Sequence, residues 1–304
     1  MSIRCTKRTP SPRRIKFRFQ NGMVGVHHGE PSQTARGSAA YRAIHQMLEG
    51  GAIFTDPLAS RILDEQTAAS LNEMAADGTL RPMRLFIAAR SRFSEDTMAN
   101  CVAVGVRQVV VLGAGLDTFS LRNPFTDLGV RVFEVDYAAT QSWKRERIKA
   151  AGLIEPLSLI FAPTDFEREN LSEGLTRVGF RLNQPAFFQW LGVVPYLTRE
   201  AVSSTLKFIS EVPEAVVAFD YAEPFQNYPA ERRTSIIAVA ESAAARGEPW
   251  LSLFDPADLH ELLRSNGFKT VEDLGLPEIA ERLYGDLRRN IRIGPGPHIV
   301  RAYQ

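Results

Sequence analysis

A pair of glycines and two acids are the residues whose types and spacing can do chemistry in this chain. The glycines stand in "VVVLGAGLDTFSLR", Val109 to Arg122, where a run of valines ends in Gly113-Ala114-Gly115-Leu116-Asp117. A β-branched apolar run suits a strand buried on both faces. Glycines at its carboxyl end permit a tight turn and let a ligand approach bare main chain. Asp136 closes "VFEVD", 23 positions after Gly113. An acid at that spacing falls at the end of the next strand, where it can accept both hydroxyls of a ribose. Asp165 in "PTDF" ends a third strand. With Phe166 after it, it offers a polar contact to an exocyclic amine and apolar cover for an adenine ring. A fourth stretch, "WLGVVPYL" from Trp190 to Leu197, falls beneath the reactive end of such a ligand.

Singly, each feature has a bland reading, since G-x-G turns are common and strand-terminal aspartates often cap helices or turns. The ordered set is more specific: a glycine loop followed by acids at the ends of two successive strands describes an adenosine site. No G-K-[ST] follows the first strand, which excludes a phosphate-cradling P-loop. The third glycine of a dinucleotide fingerprint is replaced by Thr118. Ribose and adenine contacts without pyrophosphate machinery favour S-adenosylmethionine over NAD as the cofactor. The alternatives are an NAD-dependent oxidoreductase and a non-catalytic cofactor-binding protein.

The elements that must position these residues follow from hydrophobic periodicity. From about Thr34 to Ala103 the pattern is helical, with Gly50-Gly51 and Gly78 ending pieces and Asp56-Pro57 starting one. Strands then alternate with helices: "RQVVVLGAG", "VRVFEVDYA", "LSLIFAPTDF", "PAFFQWLGVVPYLT" and "EAVVAFDYAEP" are strands. "QSWKRERIKAAG", "NLSEGLTRVGF", "REAVSSTLKFISEV" and "PAERRTSIIAVAESAAARG" are helices, and Asp255 can cap another with Pro256 at its first position. "TVEDLG" and "RRNIRIGPGPHIVRAYQ" offer two closing strands. The expectation is an α/β fold with a doubly wound parallel sheet and its ligands at the strand ends, behind an N-terminal helical cap. A basic tail covers 1–29, and one domain covers 30–304, with the cap at 30–103 and a further insertion near 225–250.

Composition narrows the function. Of the 304 residues, 44% are apolar and 23% charged, the balance of an ordinary globular protein, and the net charge of +1 gives no general pull toward nucleic acid or membrane. Two cysteines, Cys5 and Cys101, suit a reducing cytoplasm, and neither these nor the five histidines form a metal motif. Met1 to Phe19 holds seven Lys or Arg and no acid, a nucleic-acid arm or targeting peptide on one reading. Pro10 and Pro12 break any amphipathic helix there, so a disordered tail ahead of Met23 is the expectation.

Longer stretches carry a family resemblance, from about Glu30 to Ala302. They include "EPSQTARGSAAYRA", "FTDPLASRIL", "AARSRF", "VVVLGAGLDTFSLR", "FEVDYAATQSWKRE", "PTDFERENL", "FFQWLGVVPYLT" and "GEPWLSLFDPADLHELLRSNGF". These resemble the leucine carboxyl methyltransferase family, in particular its bacterial, actinomycete-type branch of S-adenosylmethionine-dependent methyltransferases. The resemblance implies a class I methyltransferase (Rossmann-like) sheet of seven strands, the last antiparallel. It places Arg90 at the methionyl carboxylate of the cofactor and the main chain of Gly113, Ala114 and Gly115 along its methionine and ribose. Asp136 then falls at the ribose, with Asp165 and Phe166 at the adenine. By pattern alone, Arg90 reads as a surface charge of a helix. One departure matters: family members acting on a protein terminus carry an acid before the glycine of the fourth-strand motif, and here that position is Leu191. A small-molecule hydroxyl or carboxylate is therefore the expected acceptor. No catalytic residue is assigned; His45, Tyr196, and Asp220 with Glu223 are the nearest candidates. Phe54, Phe86, Phe225, Tyr228 and Trp250 hint at an apolar or aromatic acceptor pocket.

Overall fold

The computed structural model describes residues 32–165, 169–289, 291 and 294–304. Seven strands form one sheet: β1 (Gln108–Leu112), β2 (Arg131–Asp136), β3 (Leu159–Pro163), β4 (Ala186–Trp190), β5 (Val216–Tyr221), β6 (Thr270–Leu274) and β7 (His298–Tyr303). Their order is β3-β2-β1-β4-β5-β7-β6. The first five pair in parallel, and β7 runs antiparallel to both β5 and β6. The chain leaves β1 in one direction to make β2 and β3, then returns to lay β4 on the other side of β1. The crevice between β1 and β4 is thus the switch point at which open α/β sheets bind ligands.

The sequence forms this sheet because its central strands have apolar neighbours on both faces. Along β1, Val110 and Leu112 pack into one layer with Phe188, Trp190 and Phe219, while Val109 and Val111 pack into the other with Met98 and Val102. The period of two sends alternate residues to opposite helical layers, which is why no polar residue interrupts the valine run.

Nine α-helices are described: α1 (Gln33–Glu49), α2 (Glu65–Ala76), α3 (Arg81–Ala103), α4 (Ala138–Ala150), α5 (Leu171–Arg177), α6 (Arg199–Ser210), α7 (Ala230–Ala245), α8 (Pro256–Ser265) and α9 (Leu276–Leu283). Helices α1 to α3 precede the sheet; α1 packs on α2 and α3, and α3 also lies against the sheet through Met98, Cys101 and Val102. This segment differs from expectation in one place: Asp56-Pro57 starts no helix, and α2 begins eight residues later with Asp64 accepting from Thr67 N at 2.8 Å. Asp56 is drawn inward instead. Its carboxylate accepts from Arg42 Nε (2.8 Å) and Thr118 Oγ1 (2.7 Å), and Arg42 Nη2 also donates to Leu116 O (2.8 Å). The pull of Arg42 and Arg122 outweighs burial and holds the Asp56 carboxyl below its ordinary range. This knot fastens α1 to the loop after β1. Asp255 does stand at the N-cap of α8, but makes no capping bond there and accepts from Asn227 Nδ2 (2.6 Å). Helix α9 was not anticipated from sequence.

Candidate functional site

Two cavities lie at the carboxyl edge of the sheet and meet. The first, about 130 Å³, is lined by the end of β1 and its loop from Val111 to Asp117, by Asp136 and Tyr137 at the end of β2, and by Gln189, Leu191, Gly192 and Val193 at the end of β4. Its roof is the first turns of α1 and Glu248. The loop needs its glycines. Gly113 has φ +65° and a Cβ there would run into Val193; Gly115 has φ +46° and a Cβ would lie 2.8 Å from that of Ala35. An L side chain is strained at either position, and no space exists for one. β1 leads into no α-helix: a 3-10 turn, Phe119–Leu121, follows the loop. The helix N-terminus that receives a pyrophosphate in dinucleotide folds is therefore missing at this loop.

Asp136 presents its carboxylate to this cavity. Oδ2 accepts from Gly115 N and Oδ1 from Tyr137 N, both at 2.7 Å, so the acid also sets the shape of the glycine loop. Burial raises its pKa to about 6, against the lowering pull of those two N–H groups and of Lys144. Beneath it, Glu134 of β2 and Lys144 of α4 form a buried pair at 2.6 Å, completed by Ser120 Oγ.

The second cavity, about 670 Å³, opens beside the first. Apolar and aromatic side chains supply much of its wall, among them Met74, Met83, Phe86, Tyr228, Val239 and Trp250. Five residues line both cavities: Thr34, Ser38, Arg90, Gly192 and Tyr196. Arg90 is central to this shared wall and only 8% exposed. Its Nη1 donates to Asp220 Oδ2 (2.8 Å) and its Nη2 to Ser38 Oγ (3.2 Å), while its Nε is buried with no partner. Gly192 N donates to Asp220 Oδ1 (2.6 Å), and a Cβ at Gly192, whose φ is +71°, would press on the guanidinium at 2.8 Å.

Of the residues expected at a cofactor, the structure brings Arg90, Gly113, Ala114, Gly115 and Asp136 to the wall of the first cavity. Asp165 lies on the same edge, two residues beyond Pro163, which is in register with Asp136. It is half-buried and is not among the residues lining that cavity. Phe166 falls outside the described residues, as does the basic segment 1–29. His45 lines neither cavity: it is fully buried, accepts from Ile53 N (3.2 Å) and Phe54 N (3.4 Å) and bonds Glu49, a structural histidine kept neutral by burial. Tyr196 and Asp220 do reach the cavities, whereas Glu223 is occupied by Asn227 and His298. Of the five aromatics, Phe86, Tyr228 and Trp250 line the second cavity; Phe54 and Phe225 do not. Sequence reasoning missed Glu248, Thr34 and Gln189, none of which carries a local signal.

The comparisons with known proteins agree with this geometry. The sheet, parallel but for its last strand, has the fold of the methyltransferase class of α/β proteins. The profile of the leucine carboxyl methyltransferase family matches residues 35–210, and the chain belongs to that family. A Bacillus subtilis protein named "Putative S-adenosyl-L-methionine-dependent methyltransferase YktD" is 30% identical over 91% of this chain and 99% of its own. A Frankia alni protein of the same description, FRAAL3718, is 32% identical over 61% of this chain and 67% of its own. Among solved structures, a DUF574 family protein from Streptomyces avermitilis shares the fold at a TM-score of 0.54, with 16% identity, covering 91% of this chain and 98% of that one. S-adenosylmethionine fits the first cavity on three counts: a main-chain cradle without Cβ atoms, an acceptor-only carboxylate for vicinal hydroxyls, and a buried guanidinium with an unpartnered Nε.

Proposed function

We propose that this chain is an S-adenosylmethionine-dependent methyltransferase acting on an oxygen of a small, largely apolar molecule. The observation that carries the reading is the pair of cavities joined through one wall of Thr34, Ser38, Arg90, Gly192 and Tyr196. Such a wall is where a donor in one chamber and an acceptor in the other would face each other in line. The cofactor supplies an activated methyl group on a sulfonium. Alignment and exclusion of water are left to the protein.

In this reading Arg90 holds the methionyl carboxylate, the main chain from Gly113 to Gly115 lines the methionine and ribose, and Asp136 accepts the ribose hydroxyls. Asp165 and Phe166 take the adenine end, where the edge of β3 continues the row. The described residues of the shared wall include no histidine. The two carboxylates bonded to this wall are already engaged: Asp220 accepts from Arg90 and Gly192, and Glu248 from the first turn of α1. The protein therefore offers orientation rather than a base, which favours an acceptor oxygen that is already ionised or easily so: a carboxylate, phenol or enol. Arg36 and Arg246 on the wall of the second cavity favour an acidic acceptor as well. A cytoplasmic setting goes with this reading. No described helix is long and apolar enough to cross a membrane.

Calorimetry tests the donor half: S-adenosylmethionine and S-adenosylhomocysteine should bind in the micromolar range, about −8 kcal/mol. Transfer of labelled methyl from S-adenosylmethionine into extracts of the native host tests the acceptor half. Binding of NADH with no affinity for either S-adenosyl compound would overturn the reading.

A further inference from the structure

Glu248 has no part in the transfer as derived above, yet it is buried and densely bonded. Its carboxylate accepts from Ser32 Oγ (2.7 Å), Gln33 N (3.1 Å), Thr34 N (3.0 Å) and, at closer range, Thr34 Oγ1. These donors make up the first turn of α1, a turn with no acid of its own. Helix starts carry unpaired N–H groups and a partial positive charge, so an acid placed there is stabilising. Here that acid arrives from 214 residues further along the chain.

The same turn is the roof of the donor cavity. Ser32, Thr34, Ala35 and Ser38 line it together with Glu248, and Ala35 rests directly on Gly115. With the turn down, the cavity holds about 130 Å³. Sites for ligands of drug size measure roughly 300–1,000 Å³. A lift of the turn would widen this space for a nucleoside carrying an amino-acid tail. On its other side, the segment that carries Glu248 walls the acceptor cavity through Arg246 and Trp250, and Trp250 stacks on Phe225 with ring centroids 6.3 Å apart.

We infer that Glu248 is a positioning residue that latches the first turn of α1 over the methyl donor. The latch opens to admit S-adenosylmethionine and to release S-adenosylhomocysteine. Because latch and acceptor wall share residues 246–250, a shift of that wall loosens or tightens the roof. The inference rests on the assignment of the first cavity to the S-adenosyl group.

Association and dissociation of labelled S-adenosylhomocysteine, followed by rapid chase, test it. In Glu248→Gln both rate constants should rise about tenfold while Kd moves by less than about threefold, because a loosened gate speeds passage in both directions. A residue that only touched the ligand would speed dissociation alone, and one that only supported the fold would lower Tm with both rates unchanged. Either result overturns the latch. Thr34→Val approaches from the opposite partner and should give the same signature, and the double variant should add little to either single change. Should Glu248→Gln fail to fold, Thr34→Val decides. If the unmodified protein binds no S-adenosylhomocysteine, the donor assignment itself fails and the latch goes with it. Binding by the unmodified protein with unaltered rates in both variants sinks the latch alone.

Discussion

The two cavities are built from different materials. The donor side is strand ends and main chain: a glycine loop, a buried aspartate whose bonds shape that loop, and a buried Glu134–Lys144 pair beneath. The acceptor side is helix surface, and its outer wall is α7, along which only Ala243 is buried. The family match, residues 35–210, takes in most of the donor side and stops before α7. A chamber floored by buried strand ends adjoins one whose outer wall is a largely exposed helix, where substitution costs the fold little. On the proposed reading, the methyl donor is held by the first side and the choice of acceptor is left to the second.

Substitutions that break this contrast can be ordered by size. Lys144→Met strands Glu134 without its partner and should cost about 3 kcal/mol or more in urea unfolding. Val239→Ala on α7, at a residue 41% exposed, should cost no more than about 0.5 kcal/mol. Equal losses would show the two sides to be equally costly to alter.

Next in size, Asp136→Asn should weaken S-adenosylhomocysteine binding at least tenfold, about 1.4 kcal/mol. Because burial raises the pKa of Asp136 to about 6, the unmodified protein should lose affinity below that pH as the carboxylate takes up a proton. The slope should approach about tenfold per pH unit, and the asparagine variant should show none. Trp250→Ala should shift the KM for an acceptor about fivefold or more and leave the S-adenosylhomocysteine Kd within about twofold. A change confined to Kd would place Trp250 on the donor side instead.

The smallest effect is expected at the far edge of the acceptor side. His298 of β7 bonds Asp273 (2.7 Å) and Glu223 (3.1 Å), while Asp273 also accepts from Tyr221 and bonds His260. Burial opposes protonation of His298, but Asp273 and Glu223 outweigh it and raise the pKa above its ordinary value. A raised folded pKa gives stability that is complete below the unfolded pKa, about 6.5, and is lost as pH rises through the folded value. Tm should therefore fall across that window by an amount equivalent to less than about 1 kcal/mol, and His298→Asn should flatten the slope.

The sequence was legible where local pattern and final environment agree. The five parallel strands announce themselves as apolar runs, whereas β6 at the sheet edge reads Thr-Val-Glu-Asp-Leu, and Gly113, Gly115 and Asp136 are legible through their spacing. Asp56 misled because a helix cap is a local preference, and two charged partners plus Thr118 outbid it through contacts far apart in sequence. Arg90 has the look of a surface charge, since nothing beside it in the chain tells of Asp220, 130 positions away. Glu248 is hidden for the same reason. His45, by contrast, is the ordinary helix residue that its surroundings suggested. The acceptor wall stays the least readable part: core packing and substrate contact call for the same Met, Phe and Trp side chains.

One consequence follows from the knot of Arg42, Asp56 and Thr118. It pins the middle of α1 to the loop after β1, so the roof cannot swing away as a whole and only the stretch ahead of the pin is free to rise. On the latch proposed above, spent donor would leave by the passage that admits the next one, so the two would take turns.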